Sequence, residues 1–198
     1  HAAAPFLDGT YHSQVFAGVR HYRIFLPHGY EASAQRYPVI YYFHGHSDRY
    51  TLEKYDDGKD TVPKIAAFTA QHDVIVVAPD GYVARDYEGF YGGSPYDVRR
   101  DGGDYDFGEY FLELTRFIDG KYRTLASRRF RATSGLSMGG FMSLYLSARY
   151  PDVVGSASAF NPAPELYAGE KGRRSLWRPK DHVLNHEATR IRLVRASG

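Results

Sequence analysis

The segment Arg131–Gly140, RATSGLSMGG, decides the fold of this 198-residue chain. Apolar and polar side chains alternate from 130 to 134 ahead of the pattern G-x-S-x-G, as they do in a short β-strand. Apolar residues then recur at helical spacing from Phe141 to Ala148, and Pro151 ends that helix. The segment therefore predicts a strand, a sharp turn carrying Ser137, and a helix.

This turn has the features that a nucleophilic serine requires. A serine hydroxyl attacks only when a base takes its proton, so it must project free of the sheet. Gly139 and Gly140 let the following helix approach the sheet closely, and the first N–H groups of that helix face negative charge on a substrate. The alternative is an ordinary Gly-Ser turn before a helix. The strand–turn–helix context favours the nucleophile.

Other strands and helices alternate along the chain. The runs 39–43 and 74–78 are continuously apolar, which predicts neighbouring parallel strands in the middle of a sheet. Further predicted elements are strands at 22–26, 153–160 and 191–196, a helix at 62–71 capped by Thr61, a helix opened by the capping box Asp106-x-x-Glu109, a loop at 82–105 and irregular chain at 161–180. This order predicts one α/β domain over residues 1–198, with a mostly parallel sheet flanked by helices.

Composition excludes several classes of function. The net charge is only +2 and basic residues occur as scattered pairs, so nucleic acid is not an expected partner. No apolar run is long enough to span a membrane, and the chain has no cysteine for disulfides or thiolate chemistry. Asp101, Asp104 and Asp106 lack the EF-hand spacing, so a plain acidic loop is favoured over calcium. No metal and no cofactor is predicted.

Several motifs in order resemble the esterase D family of α/β-hydrolases, which includes feruloyl and acetyl-xylan esterases, S-formylglutathione hydrolase and the antigen 85 mycolyltransferases. The similarity runs from about residue 20 to the end of the chain. The segments that carry it are Tyr22–Pro27, Val39–Gly45, Ala78–Gly81, Gly135–Gly140, and Glu113 with Ile118-Asp119 and Tyr122-Arg123.

The resemblance implies an α/β-hydrolase fold and a Ser–His–Asp triad with Ser137 as the nucleophile. It also implies an oxyanion hole formed by the backbone N–H groups of Met138 and His46. The base follows the serine in this fold, so we expect structural or loop-positioning roles, ahead of general-base roles, for the imidazoles of His44 and His46.

The acid and base of the triad have no match in the chain. The family's acid follows the strand that here reads 191–196, so the family's last strand and helix are expected to be missing. The strand at 191–196 would then be an exposed edge, through which a homodimer could form. The residues within the chain that could replace the missing acid or base are Asp152, Glu165, Glu170, Asp181, Glu187, His182 and His186. For all of them a solvated surface role is favoured.

The resemblance implies a serine esterase acting on a small-molecule or polysaccharide-linked ester, with acetyl or feruloyl esters favoured. The chain as it stands is expected to be a poor esterase unless another polypeptide supplies the acid and base. An acyltransferase of the same fold and a non-catalytic binding module are the alternatives. The chain starts at His1 without a methionine, which favours a secreted or periplasmic protein over a cytoplasmic one.

Overall fold

The computed structural model describes residues 5–46, 48–53, 56–82, 96, 106–163, 167–168 and 174–175. Its strands are β1 (Leu7–Ser13), β2 (Gly18–Phe25), β3 (Val39–Phe43), β4 (Ile75–Pro79), β5 (Arg131–Gly135), β6 (Ser156–Ala157), β7 (Tyr167–Ala168) and β8 (Arg174–Ser175). Its helices are α1 (Asp56–Gln71), α2 (Phe107–Lys121) and α3 (Met138–Arg149). No helix in these ranges is long and apolar enough to cross a bilayer.

Six of the strands form one mixed sheet in the order β1-β2-β4-β3-β5-β6. The four strands from β4 to β6 are parallel, and β2 joins β4 in the antiparallel direction. The prediction that the apolar runs at 39–43 and 74–78 are adjacent parallel strands is therefore confirmed. Because β4, β3 and β5 are parallel neighbours, the loops that follow them meet at one edge of the sheet.

The strand β1 was not predicted from the sequence. Its burial alternates, but the more covered positions are Gly9, Tyr11 and Ser13, of which only the tyrosine is apolar, so the sequence lacks the apolar–polar pattern of a strand. The strands β1 and β2 form an antiparallel pair in register from Leu7 opposite Ile24 to Ser13 opposite Gly18.

Helices cover the two faces of the sheet unequally. The larger core lies against α2 and α3 and contains the inward-facing Tyr41 and Phe43 of β3 with Phe111 and Met142 of the helices. A smaller cluster, which includes Val76 and Ile65, lies on the face covered by α1. This layered arrangement confirms the predicted α/β class with a mostly parallel sheet flanked by helices.

Two predicted boundaries were wrong. The first helix begins at Asp56, so Thr61 lies inside it and is not its N-cap, and Pro63 is an interior proline that gives up one helical hydrogen bond. The strand predicted at 153–160 shortens to Ser156–Ala157, although Ser158 N–H and Phe160 N–H still donate to β5 carbonyls at 2.9 Å.

Only the Asp106 half of the predicted capping box forms. Asp106 caps α2 by accepting from Gly108 N–H at 2.7 Å, whereas the Glu109 carboxylate contacts Arg149 at 3.5 Å on the exposed side. The loop at 82–105, apart from Tyr82 and Tyr96, and the strand at 191–196 lie outside the described residues. The dimer expected through that strand therefore stays a prediction.

Candidate active site

Ser137 has the unusual backbone that the sequence predicted. It lies between β5 and α3 with φ 55° and ψ −115°, a conformation that residues with a Cβ rarely adopt. The surrounding backbone holds it there, because Ser137 N–H donates to Phe160 O at 2.9 Å and its carbonyl accepts from Ala163 N–H at 2.9 Å. Strain of this kind persists only where neighbouring structure over-determines it, and it concentrates at functional sites.

The glycines of the motif let the strand, the turn and the helix pack backbone against backbone. A Cβ on Gly139 would lie 2.5 Å from the carbonyl oxygen of His44, and closer still to that of Phe43. A Cβ on Gly135 would lie 2.7 Å from the same Phe43 oxygen. Real Cβ atoms do not come so close to backbone oxygens, so only glycine fits at both positions.

The Ser137 hydroxyl is half-buried and makes no hydrogen bond to any residue that the structure describes. Beside it, Met138 provides the first N–H of α3, which has no acceptor among those residues either. A helix N-terminus carries partial positive charge and unsatisfied N–H groups. A nucleophile with an adjacent free donor is the arrangement that acyl transfer needs.

The loop after β3 brings the second predicted donor to the same place. A Cβ on Gly45 would lie 3.6 Å from the Ser137 Cβ and 3.5 Å from Leu136 O. The Gly45–His46 peptide therefore runs alongside the turn that carries Ser137. The structure thus collects Ser137, Met138 and His46 at one edge of the sheet, while their catalytic roles stay predictions.

His44 is buried and fully engaged, in agreement with the expected structural role. Its Nε2 accepts from Gly81 N–H at 2.9 Å, and its Nδ1 lies 2.8 Å from Gly45 O. With both ring nitrogens occupied by backbone groups, His44 is not placed to act as the base for Ser137. The imidazole of His46 is half-buried in the turn that follows.

Asp80 and Arg49 form an ion pair behind His44. The Arg49 guanidinium is bidentate on the Asp80 carboxylate, with its second nitrogen 2.5 Å from Oδ2. Burial raises the pKa of the Asp80 carboxyl, but the bidentate Arg49 guanidinium lowers it by more, which leaves the pKa at about 2. The carboxylate is therefore ionised at neutral pH.

The sequence analysis did not select Asp80, Arg49 or Tyr96. The available signal was A-P-D-G directly after a buried strand, because loops at the carboxyl ends of parallel strands gather polar groups around ligand sites. Tyr96 gave no signal, since its contacts with His44 and Gly81 bridge chain segments far apart in sequence.

Among the residues that the structure describes, no acid–base pair lies beside Ser137. The structure describes six histidines, and none of them hydrogen-bonds the serine hydroxyl. Asp152 is exposed in the turn after α3. The other substitutes weighed from the sequence, Glu165, Glu170, Asp181, His182, His186 and Glu187, lie outside the described residues.

The acidic trio considered for calcium does not form a site in the described part of the chain. Asp106 caps α2 and pairs with Arg149 at 3.0 Å, while Asp101 and Asp104 lie outside the described ranges. No group of three metal-ligating side chains occurs among the residues that were described.

A cavity of about 550 Å³ lies on the α1 face of the sheet, and Ser137 does not line it. Its lining is mostly apolar and includes Tyr42, Phe68 and Phe160, with Ser134 at the carboxyl end of β5. The alternation of side chains along β5 explains the separation, because Ser134 points to this face and the neighbouring Thr133 is buried on the other.

The comparisons with known proteins agree with this geometry. The family model described as "Putative esterase" matches residues 13–195 of the chain. An esterase of Mycobacterium tuberculosis is 31% identical over 147 residues, which cover 72% of this chain. The chain spans 29% of the length of that curated relative.

Solved structures share the fold. A ferulic acid esterase from Anaeromyces mucronatus, solved with ferulic acid, is 27% identical with a TM-score of 0.62 over 85% of this chain and 63% of that one. A fluorophosphonate-binding serine hydrolase from Staphylococcus aureus is 15% identical with a TM-score of 0.66, over 96% of this chain and 74% of that one. The described fold is thus that of the α/β-hydrolase esterases.

Proposed function

Because the chain belongs to this esterase family, we propose that it is a serine carboxylic-ester hydrolase whose nucleophile is Ser137. The observation that carries the proposal is the strained backbone of Ser137, with φ 55° at the junction of β5 and α3 and a hydroxyl that no described residue occupies. That conformation costs on the order of 1–3 kcal/mol, which an ordinary turn would avoid.

In the proposed reaction the Ser137 oxygen attacks the ester carbonyl and its proton passes to a base. The carbonyl oxygen becomes an oxyanion, which accepts hydrogen bonds from the N–H groups of Met138 and His46. The tetrahedral intermediate then expels the alcohol and leaves the acyl group on Ser137. Attack by water on this acyl-enzyme releases the acid and restores the serine.

We propose an acetyl or feruloyl ester of a polysaccharide, or a small-molecule equivalent, as the substrate. The support is the likeness to ferulic acid esterases at 26% and 27% identity, together with the sequence resemblance described above. The substrate class is tested separately from the mechanism.

The test is hydrolysis of p-nitrophenyl acetate and methyl ferulate by a parent protein that contains the acid and base of the triad, and by its Ser137→Ala and Ser134→Ala variants. Ser134 is the matched control, because it lies three residues earlier and its hydroxyl bonds Ser158 at 2.9 Å on the α1 face. We expect Ser137→Ala to lose at least about 10³-fold in rate and Ser134→Ala to stay within about twofold. Equal activity of Ser137→Ala and the parent chain would refute the mechanism, and acetate turnover without ferulate turnover would refute only the feruloyl substrate.

A further inference from the structure

His44 is a buried residue whose ring is hydrogen-bonded to backbone groups and packed against aromatic rings near the loop after β3. Its ring is 1% exposed, lies parallel to Tyr82 at 5.9 Å and is tilted against Tyr96 at 5.2 Å. The loop that follows it, Gly45–His46, carries one of the two proposed oxyanion donors. The side chain therefore sits one residue behind the proposed catalytic machinery without reaching Ser137.

The hydrogen bonds of His44 define its tautomer. Gly81 N–H points at Nε2 from 2.9 Å, so Nε2 must carry a lone pair. Nδ1 lies 2.8 Å from the Gly45 carbonyl oxygen, which can only accept, so Nδ1 must carry the proton. The nearest carboxylate oxygen, on Asp80, is 3.7 Å from Nε2 and outside hydrogen-bond range. The ring is therefore neutral and donates from Nδ1.

The bond from Nδ1 orients the peptide group that contains the His46 N–H. The Gly45 carbonyl and the His46 N–H belong to the same planar unit, which is trans, so the two bonds point in opposite directions. His44 Nδ1 holds the carbonyl from one side, and Asp48 N–H adds a longer contact at 3.3 Å. Glycine at position 45 has the widest backbone freedom of any residue, so this peptide needs an external restraint.

We propose that His44 is a positioning residue, which fixes the Gly45–His46 peptide so that the His46 N–H faces the oxyanion formed on Ser137. The inference rests on the proposed function. It adds a residue that touches neither substrate nor nucleophile and acts only through the peptide that it holds.

The surroundings of the ring restrain it in turn. Tyr96 donates from its hydroxyl to His44 O at 2.7 Å, and its backbone N–H donates to Gly81 O at 2.8 Å. A Cβ on Gly81 would lie 2.5 Å from the Tyr96 ring, so glycine is required for this contact. The Asp80–Arg49 ion pair joins the loop after β4, which contains Gly81, to the loop after β3. Hydrogen bonds and packing thus restrain both the ring and the backbone of His44.

Two variants separate the two hydrogen bonds of the ring. In His44→Asn the side-chain NH₂ can take the place of Nδ1 and still donate to Gly45 O. In His44→Gln the longer side chain can accept from Gly81 N–H in the place of Nε2, but it leaves the Gly45 carbonyl without its donor. We expect His44→Gln to lose roughly 10²-fold in kcat for p-nitrophenyl acetate with KM within about threefold, and His44→Asn to stay within about tenfold of the parent. Tm measured on both variants shows that each is folded.

An equal loss of kcat in the two variants, in step with their loss of Tm, would overturn the proposal, because a merely structural role makes no distinction between the two bonds. Nitrogen NMR of the His44 ring tests the tautomer without any activity. A proton on Nε2, or on both nitrogens at neutral pH, would overturn the proposal as well.

The labelling of Ser137 separates this inference from the proposed function. A parent chain whose Ser137 does not react with a fluorophosphonate would overturn the proposed function and the role of His44 together. Labelling at the parent rate in His44→Gln, with none in Ser137→Ala, would overturn the role of His44 alone.

Discussion

Gly139 is a position at which a single added methyl group would destabilise the fold. Its Cα faces the carbonyl oxygens of Phe43 and His44, so an alanine there forces α3 away from β3. We expect Gly139→Ala to lower the free energy of unfolding by about 3 kcal/mol or more, which is the range of overpacking and backbone strain. Urea denaturation followed by circular dichroism measures the change.

The matched control for this substitution is Gly120→Ala in α2, where a Cβ would meet nothing within 4 Å. Alanine is the better helix former, so Gly120→Ala should leave stability unchanged or raise it by up to about 1 kcal/mol. If Gly139→Ala were tolerated as well as Gly120→Ala, the close approach of helix and sheet at the proposed nucleophile would be wrong.

Asp80 makes the stability of the protein depend on pH. The pKa of its carboxyl is about 2 in the folded protein and about 3.9 in an unfolded chain, so its ion pair stabilises the fold above pH 4. That contribution, about 2 kcal/mol, is lost as the pH falls through 2. We expect Asp80→Asn to be less stable than the parent at pH 7, and the difference to shrink between pH 4 and pH 2.

Asp73→Asn is the control for Asp80→Asn, because Asp73 is exposed. Its free energy of unfolding should follow that of the parent chain across the same pH range. A difference between Asp80→Asn and the parent that stays constant from pH 7 to pH 2 would contradict the depressed pKa of Asp80.

At the scale of elements, Glu113 of α2 holds the turn between β1 and β2. Its carboxylate accepts from the Ser13 hydroxyl at 2.5 Å and from Gln14 N–H at 2.6 Å. Hydrogen bonds to a charged acceptor contribute about 1.5–3 kcal/mol when partly buried. We expect Glu113→Gln to destabilise the protein by about 1–2 kcal/mol and to speed hydrogen exchange of the amides at 14–16.

Glu109→Gln is the matched control, four residues earlier on the same helix. The Glu109 side chain is 56% exposed and its contact with Arg149 is 3.5 Å, so its replacement should change stability by less than about 0.5 kcal/mol. Unchanged exchange at 14–16 in Glu113→Gln would show that the β1–β2 turn is held by other contacts.

The elements that could be predicted from the sequence are those whose pattern of apolar residues reflects their burial. The strands β3 and β4 have continuous apolar runs, and β5 precedes a motif whose glycines have a defined use. The edge strand β1 escaped prediction because pairing with β2, not burial, makes it a strand. The start of α1 escaped because residues 56–60 are polar and precede Pro63, which usually marks a first turn.

The candidate site also contains features that could be predicted from the sequence and contacts that could not. The prediction of Ser137 follows from its local motif, whereas the donor roles of Met138 and His46 are what the family resemblance implies. The network of His44, Asp80, Arg49 and Tyr96 depends on which strand ends meet, and no local pattern contains that information. The resemblance to a known family supplied the order of the motifs, but not these contacts.

At the scale of the whole molecule, the site results from the order of the strands. β3 lies between β4 and β5, all three parallel, so the loop carrying His46 is flanked by the Asp80–Gly81 loop and by Ser137. Each loop contributes one part of the proposed site: the proposed nucleophile with its first donor, the proposed second donor, and the contacts that support that donor. The apolar cavity on the α1 face belongs to a different surface of the sheet.

The measurement that tests the central claim most directly is the site of labelling by a fluorophosphonate, read by peptide mass spectrometry of a form of the protein that retains the acid and base of the triad. The account predicts one added phosphonyl group, on the peptide that contains Ser137, and none in Ser137→Ala. Ser134 and Ser143, whose hydroxyls are hydrogen-bonded within the fold, should stay unmodified. A label on any other serine, or a label that survives Ser137→Ala, would contradict the assignment of Ser137 as the nucleophile.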